Sequence, residues 1–146
     1  PETRTTIIIP NYNGLSFLGP CLEALKHQTV HDFKVLVVDN GSTDGSVQWL
    51  REQGIPSIFL DHNTGFPGAV NVGIRAADTP YVLLLNNDTA AEPGSWNFWS
   101  GPSAARKPSF PSAAASFRCT GRSFLTTPEI CSASWAGLTS GASDGR

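Results

Sequence analysis

Leu36-Val37-Val38-Asp39-Asn40-Gly41-Ser42-Thr43-Asp44-Gly45 decides the fold of this 146-residue chain. An apolar, β-branched run enters a cluster of turn-forming polar residues led by a carboxylate. This is how a buried parallel strand ends when its carboxyl edge faces a polar ligand. Two further stretches repeat the pattern: Thr6-Ile7-Ile8-Ile9-Pro10-Asn11-Tyr12-Asn13 before it, and Tyr81-Val82-Leu83-Leu84-Leu85-Asn86-Asn87-Asp88 after it.

Between the strands the period changes. Leu18, Cys21, Leu22 and Leu25 fall at i, i+3, i+4 and i+7, which predicts a helix over about 16–27. A second helix, capped by Ser42 or Thr43 with Asp44 in its first turn, carries Val47 and Leu50 inward and ends at Gly54. A third runs from about Pro67 to Ala77. Strands are expected at 5–9, stopped by Pro10, and at 34–38, 57–60 and 81–85. The order is βαβαβαβ, an α/β parallel sheet whose connections favour right-handed crossovers. Its ligand edge gathers residues 10–13, 39–43 and 86–88, bordered by 63–71.

The composition shifts near Gly94. Residues 1–94 hold ten acids against five bases, whereas the tail holds two against five and contains no Val. The tail mixes Ser, Ala, Pro, Gly and Arg with scattered Trp and Phe and sustains neither period. The expected organisation is therefore a regular α/β half at 1–94 and an irregular tail at 95–146. The tail reads as an out-of-frame stretch of a GC-rich gene or a disordered extension.

A net charge of −2 offers no attraction to nucleic acid. Three cysteines without ligand spacing imply reduced thiols. No apolar run reaches bilayer-spanning length, so no transmembrane segment is expected. A cytoplasmic location follows, with peripheral membrane attachment through a partner compatible with it. P-loop, EF-hand and Gly-x-Gly-x-x-Gly patterns are all missing.

At the tips, Asp39 is either an acceptor suited to an imide N–H or a hydroxyl of a ligand or a carboxylate that satisfies turn N–H groups, and Asp44 is a turn and cap carboxylate. Asp88 either offers a hard oxygen to Mg²⁺ or Mn²⁺ or caps the next turn, and Asn86 and Asn87 suit sugar hydroxyls. The small residues of Asn63-Thr64-Gly65-Phe66-Pro67-Gly68-Ala69-Val70-Asn71-Val72-Gly73 let a helix start approach a ligand, with Asn71 one turn in. Gly68 and Gly73 equally suit close packing of that helix on the sheet. Arg75 could meet a phosphate, although a lone helical Arg is more often solvated.

With these four motifs in order, residues 3 to about 94 resemble the donor-binding half of family 2 glycosyltransferases of the GT-A fold. The Gly65-Phe66 and Asn86-Asn87-Asp88 variants look most like rhamnosyl- and galactofuranosyl-transferring members. The resemblance implies inverting, metal-assisted transfer from a nucleotide-diphosphate sugar to a hydroxyl on a glycan or lipid-linked acceptor, as in polysaccharide biosynthesis. It implies that Asp39 binds the base, that Pro10, Tyr12, Asn13 and Asn40 line the nucleotide, and that Asn63, Gly65 and Asn71 border it. Asp88 would match the last carboxylate of the Asp-x-Asp metal motif, with Asn86 where the first Asp often stands. The family's acceptor half and its carboxylate base have no recognisable match: Glu129 and Asp144 are the tail's only acids. Effective truncation is therefore expected. A non-catalytic nucleotide-binding or structural fragment is the alternative.

Overall fold

The computed structural model describes residues 2–100 and 114–118. Strands β1 (Thr5–Asn11), β2 (Phe33–Asp39), β3 (Ser57–Phe59), β4 (Tyr81–Leu85) and β5 (Ala114–Arg118) form one sheet in the order β3-β2-β1-β4-β5. The first four are mutually parallel, and β5 pairs antiparallel to β4. Helices α1 (Leu15–Lys26), α2 (Ser46–Glu52), α3 (Phe66–Ala76) and α4 (Ser95–Ser100) complete the described elements. The α/β parallel architecture expected from the alternating pattern is the one found.

Strand alternation sorts the core onto two faces. Ile7, Ile9, Val37, Leu83 and Leu85 pack with Leu18, Cys21, Leu22 and Leu25 of α1 and Leu50 of α2. Ile8, Val38, Val82 and Leu84 pack with Ala69 and Val70 of α3. The helical face read at i, i+3, i+4, i+7 is the buried face of α1. Gly73 is the point of closest approach on the other side. A Cβ there would lie 2.6 Å from Ile8 Cγ2 and 3.1 Å from Val38 Cγ2. Gly73→Ala is therefore expected to destabilise by about 1–3 kcal/mol through overpacking, read as a lowered midpoint in urea with an unchanged slope. Gly68 serves differently: its Cβ would meet Thr64 in the preceding loop, not the sheet.

Three expectations are corrected. Pro10 does not end the first strand, which continues to Asn11 in register with Asp39. Alternation turns the Asn11 backbone toward β2, where its carbonyl accepts the Asn40 N–H at 2.8 Å. Position 10 then faces the β4 side, beyond the last pair, Ile8 with Leu84, so no ladder donor is missed. Neither Ser42 nor Thr43 caps α2. Gly45, at φ 93°, occupies the N-cap, and Asp44 lies outside the helix. Finally, the compositional break at Gly94 falls inside the packed unit. Trp96 is 2% exposed, belongs to the α1 face of the core and meets Phe33 in a tilted contact with ring centroids 4.7 Å apart. Its backbone N–H donates to Gln28 Oε1 at 3.0 Å and its indole N–H to Asp32. Gln28 Nε2 also holds the carbonyls of Ala91 and Glu92.

Two described elements, α4 and β5, fall in the stretch expected to be irregular. Cys119, Cys131, Glu129 and Asp144 lie outside the described residues. Among the described residues, no helix is long and apolar enough to cross a membrane.

Candidate functional site: three strand tips joined at one edge

Parallel strands put the ends of β1, β2 and β4 at one edge of the sheet, and side-chain hydrogen bonds tie them together. Asp39, at the end of β2, is 0% exposed. Its Oδ2 accepts Asn11 Nδ2 at 2.8 Å and its Oδ1 accepts the Ser42 N–H at 2.9 Å. A carboxylate only accepts, so Asn11 must turn its amide nitrogen to Asp39 and its oxygen away. That oxygen accepts Asn87 Nδ2 at 2.8 Å. Asp39 and the Asn87-Asp88 tip are therefore two hydrogen bonds apart, on a shared rim.

The remaining tip residues lock neighbouring loops. Asn40 uses its whole amide: Nδ2 donates to Asn63 Oδ1 and the Gly65 carbonyl, and Oδ1 accepts the Thr64 N–H at 2.9 Å and its hydroxyl. This fixes the loop before α3 against the β2 tip. Gly41 makes the approach possible. It sits at φ +79°, and a Cβ would come within 2.9 Å of the His62 backbone. Asn13, at φ 49°, accepts the Thr43 N–H at 2.8 Å and donates its own N–H to Ser42 Oγ. Asn is among the few non-glycine residues that tolerate left-handed geometry, and its bonds to the turn after β2 hold it there.

Asp44 closes two helix starts together. Its Oδ2 accepts the Leu15 N–H at 2.9 Å, and its Oδ1 accepts the N–H and hydroxyl of Ser46. The turn-and-cap reading of this residue holds, with α1 as an additional client. Partial burial opposes its ionisation. The hydrogen bonds from Ser46 and the Leu15 amide outweigh that and hold the carboxyl below the usual range. A depressed folded value means the stability it contributes is present above the unfolded carboxyl value of about 3.9 and is lost as pH falls through the folded one. The melting-temperature gap between the wild type and Asp44→Asn should therefore be widest near neutral pH and close below about pH 4.

Asp88 stands exposed beyond β4. It lies near enough to Cys21 that, after burial itself, its charge is the second cause pushing the Cys21 thiol up to about 11. Among the described residues Asp88 has no ion pair and no side-chain hydrogen bond. No cluster of three or more His, Cys, Asp or Glu that could hold a metal occurs among them either. An unengaged carboxylate fits a hard cation as one ligand, provided the ligand's own oxygens supply others. Asn86 and Asn87 are half-buried beside it, and Tyr12, 51% exposed, rises from the β1 tip. Pro10 is buried beneath them. Gly65, at φ 80°, caps α3, and Asn71 is half-buried in its second turn.

The structure thus gathers Pro10, Tyr12, Asn13, Asp39, Asn40, Asn63, Gly65, Asn86, Asn87 and Asp88 along one edge, with α3 bringing Asn71 alongside. Arg75 is not among them. It lies in the last turn of α3, which returns toward the start of β4 at the opposite edge. A groove lined by Thr6, Lys34, Leu36, Pro56 and Asp78 opens at that opposite edge as well, away from the tips. Asn11 is the participant the motif reading passed over. Its signal was available in its register, directly beside Asp39, but a Pro-Asn-Tyr-Asn string reads as a turn.

Residues 6–97 match the family model described as Glycosyl transferase family 2. Over 91 residues the chain is 35% identical to the teichoic acid poly(glycerol phosphate) polymerase of Staphylococcus epidermidis, covering 58% of this chain and 13% of that protein. The structure of the mannosyltransferase PcManGT from Pyrobaculum calidifontis, in complex with GDP-Man and Mn²⁺, matches with a TM-score of 0.60 at 22% identity. That likeness covers 70% of this chain and 34% of that one, and it is one of fold. S. aureus TarS 1-349 in complex with UDP matches with a TM-score of 0.59 at 26% identity, over 64% of this chain and 30% of that one. The chain spans only about an eighth to a third of the length of these relatives.

Proposed function

The chain belongs to glycosyl transferase family 2, and on that premise we propose that it is the donor-binding half of an enzyme moving a sugar from a nucleotide diphosphate to a hydroxyl acceptor. The observation that carries this reading is the joined rim, where Asp39 and Asp88 sit at the tips on either side of β1, bridged by Asn11 and Asn87. The nucleotide lies across the β1 and β2 tips, along Pro10, Tyr12, Asn13, Asp39 and Asn40. The loop at Asn63 and Gly65 and the start of α3, with Asn71, border it. The diphosphate and sugar extend toward Asn86, Asn87 and Asp88. The GDP-Man and UDP named for PcManGT and TarS support a donor of this class.

The reaction is an inverting displacement. The acceptor oxygen forms a bond to the anomeric carbon as the bond from that carbon to the diphosphate oxygen breaks. The hydroxyl proton passes to a carboxylate base, a role worth about 10²–10⁴-fold. That base belongs to the acceptor half, which we place outside residues 6–97. Asp88 would hold a divalent cation, Mg²⁺ or Mn²⁺, together with diphosphate oxygens. When bound, the cation neutralises charge gathering on the leaving group. The Mn²⁺ named with PcManGT supports this cofactor class. Asn86 and Asn87 orient the sugar through paired donors and acceptors. The acceptor in this reading is a hydroxyl of a glycan or lipid-linked molecule.

Calorimetric titration of UDP-, dTDP- and GDP-sugars in the presence of Mn²⁺ tests the reading. One of them should bind saturably at one site per chain. Failure of all three would overturn it. Binding without transfer or hydrolysis would favour a non-catalytic nucleotide-binding or structural fragment.

A further inference from the structure

We propose that Asn11 is a positioning residue that couples the β2 tip at Asp39 to the β4 tip at Asn87-Asp88, so that nucleotide and cation are held cooperatively. The inference rests on the donor site proposed above and deepens it.

Asn11 is 1% exposed. It spends both ends of its amide on the two tips, donating to Asp39 and accepting from Asn87, each at 2.8 Å. A third, longer contact runs to Ser42 Oγ at 3.3 Å. The orientation has no alternative, because the Asp39 carboxylate cannot donate. The space around the bridge is closed as well. A Cβ on Gly14 would stand 2.1 Å from Asn87 Nδ2 and 2.6 Å from Asn11 Oδ1. The first residue of the α1 approach is thus kept side-chain-free where the Asn11–Asn87 bond passes. The pairing of β1 with β4 ends at Ile8–Leu84, so no ladder bond holds the Asn86-Asn87-Asp88 tip to β1. The Asn11 amide supplies that connection and fixes the position from which Asp88 faces the diphosphate.

Such a bridge differs from simple structural support in what it predicts. General loosening weakens nucleotide binding with and without cation in proportion. Loss of a coupling element lowers the factor by which one ligand tightens the other. The readout is therefore the ratio of UDP affinities measured with saturating Mn²⁺ and with chelator. For Asn11→Ala that ratio should fall by about tenfold. Gly14→Ala, which crowds both Asn87 Nδ2 and Asn11 Oδ1 and so breaks the bond between them, should lower it similarly. It keeps the test decisive if Asn11→Ala does not fold. Asn11→Asp should be worse than either, since it sets two buried carboxylates face to face. The double exchange Asn11→Asp with Asp39→Asn moves the charge across and preserves every partner. The new carboxylate accepts from the amide at 39 and from Asn87, while the amide oxygen at 39 still accepts the Ser42 N–H. It should recover the wild-type ratio to within about threefold.

A ratio unchanged in folded Asn11→Ala and Gly14→Ala, or a double exchange no better than Asn11→Asp alone, would overturn the coupling. A wild-type chain that binds UDP but shows no cation enhancement would overturn it too, while leaving the nucleotide site standing. A wild-type chain that binds neither UDP nor any other nucleotide diphosphate would overturn the donor site itself and the coupling with it.

Discussion

Asp88→Ala should lower donor turnover by about three orders of magnitude while leaving the fold intact. The carboxylate is exposed and, among the described residues, holds no partner, so its removal strands no buried group. Surface substitutions of this kind usually stay within about 0.5 kcal/mol of the parent in stability. The loss falls on the reaction. Charge developing on a departing diphosphate is worth several kcal/mol to neutralise, and every 1.4 kcal/mol or so is a factor of ten in rate. Release of nucleotide diphosphate, with or without acceptor, would be followed for both proteins at saturating Mn²⁺. A melting temperature that drops together with activity would show that Asp88 supports structure instead.

Asp39→Ala should act through the opposite route. Asp39 is fully buried, accepts from Asn11 and from the Ser42 backbone, and faces no cation among the described residues. Truncation leaves an amide N–H₂ and a backbone N–H without acceptors in a closed space. Each such group costs about 1–3 kcal/mol, so the variant should be less stable by about 2–4 kcal/mol. For a packed unit of this size that corresponds to a fall in melting temperature of roughly 10–25 °C. Nucleotide binding should be lost with it, because the same two bonds shape the rim. Asp39→Asn should lose less stability, since its oxygen still satisfies Ser42, but its amide nitrogen would face that of Asn11. Thermal melts of the three proteins at pH 7 separate these cases. An Asp39→Ala melt within a degree or two of wild type would mean that the carboxylate does not hold the tips together.

Much of this was legible before any coordinates. Continuous runs such as Ile7-Ile8-Ile9 and Leu83-Leu84-Leu85 can only be satisfied by a sheet covered on both faces, and the helical spacing of Leu18, Cys21, Leu22 and Leu25 supplied one cover. Polar clusters directly after such runs located the edge at which the three strand tips meet. What escaped was information carried by register and by single contacts. Pro10 looks like a terminator unless the side of the strand it faces is known. Asn11 looks like a turn residue unless its pairing with Asp39 is known. Trp96 sits in a stretch with no hydrophobic period, so nothing marks it as a core residue until Phe33, Gln28 and Asp32 are seen around it. Gly14 and Gly41 likewise depend on backbones and side chains from distant segments filling the space a Cβ would need. Periodicity reports which face of an element is buried. It does not report which polar atoms meet across the ends.

The central claim is that one donor lies across three strand tips, with its nucleotide at β1 and β2 and its diphosphate toward β4. A crystal structure of the chain grown with UDP and Mn²⁺ tests it most directly. The account predicts nucleotide density along Tyr12 and the Asp39–Asn40 turn, with the anomalous signal of manganese between the diphosphate and the Asp88 carboxylate. Nucleotide density in the groove at Lys34 and Asp78, or manganese away from Asp88, would contradict it.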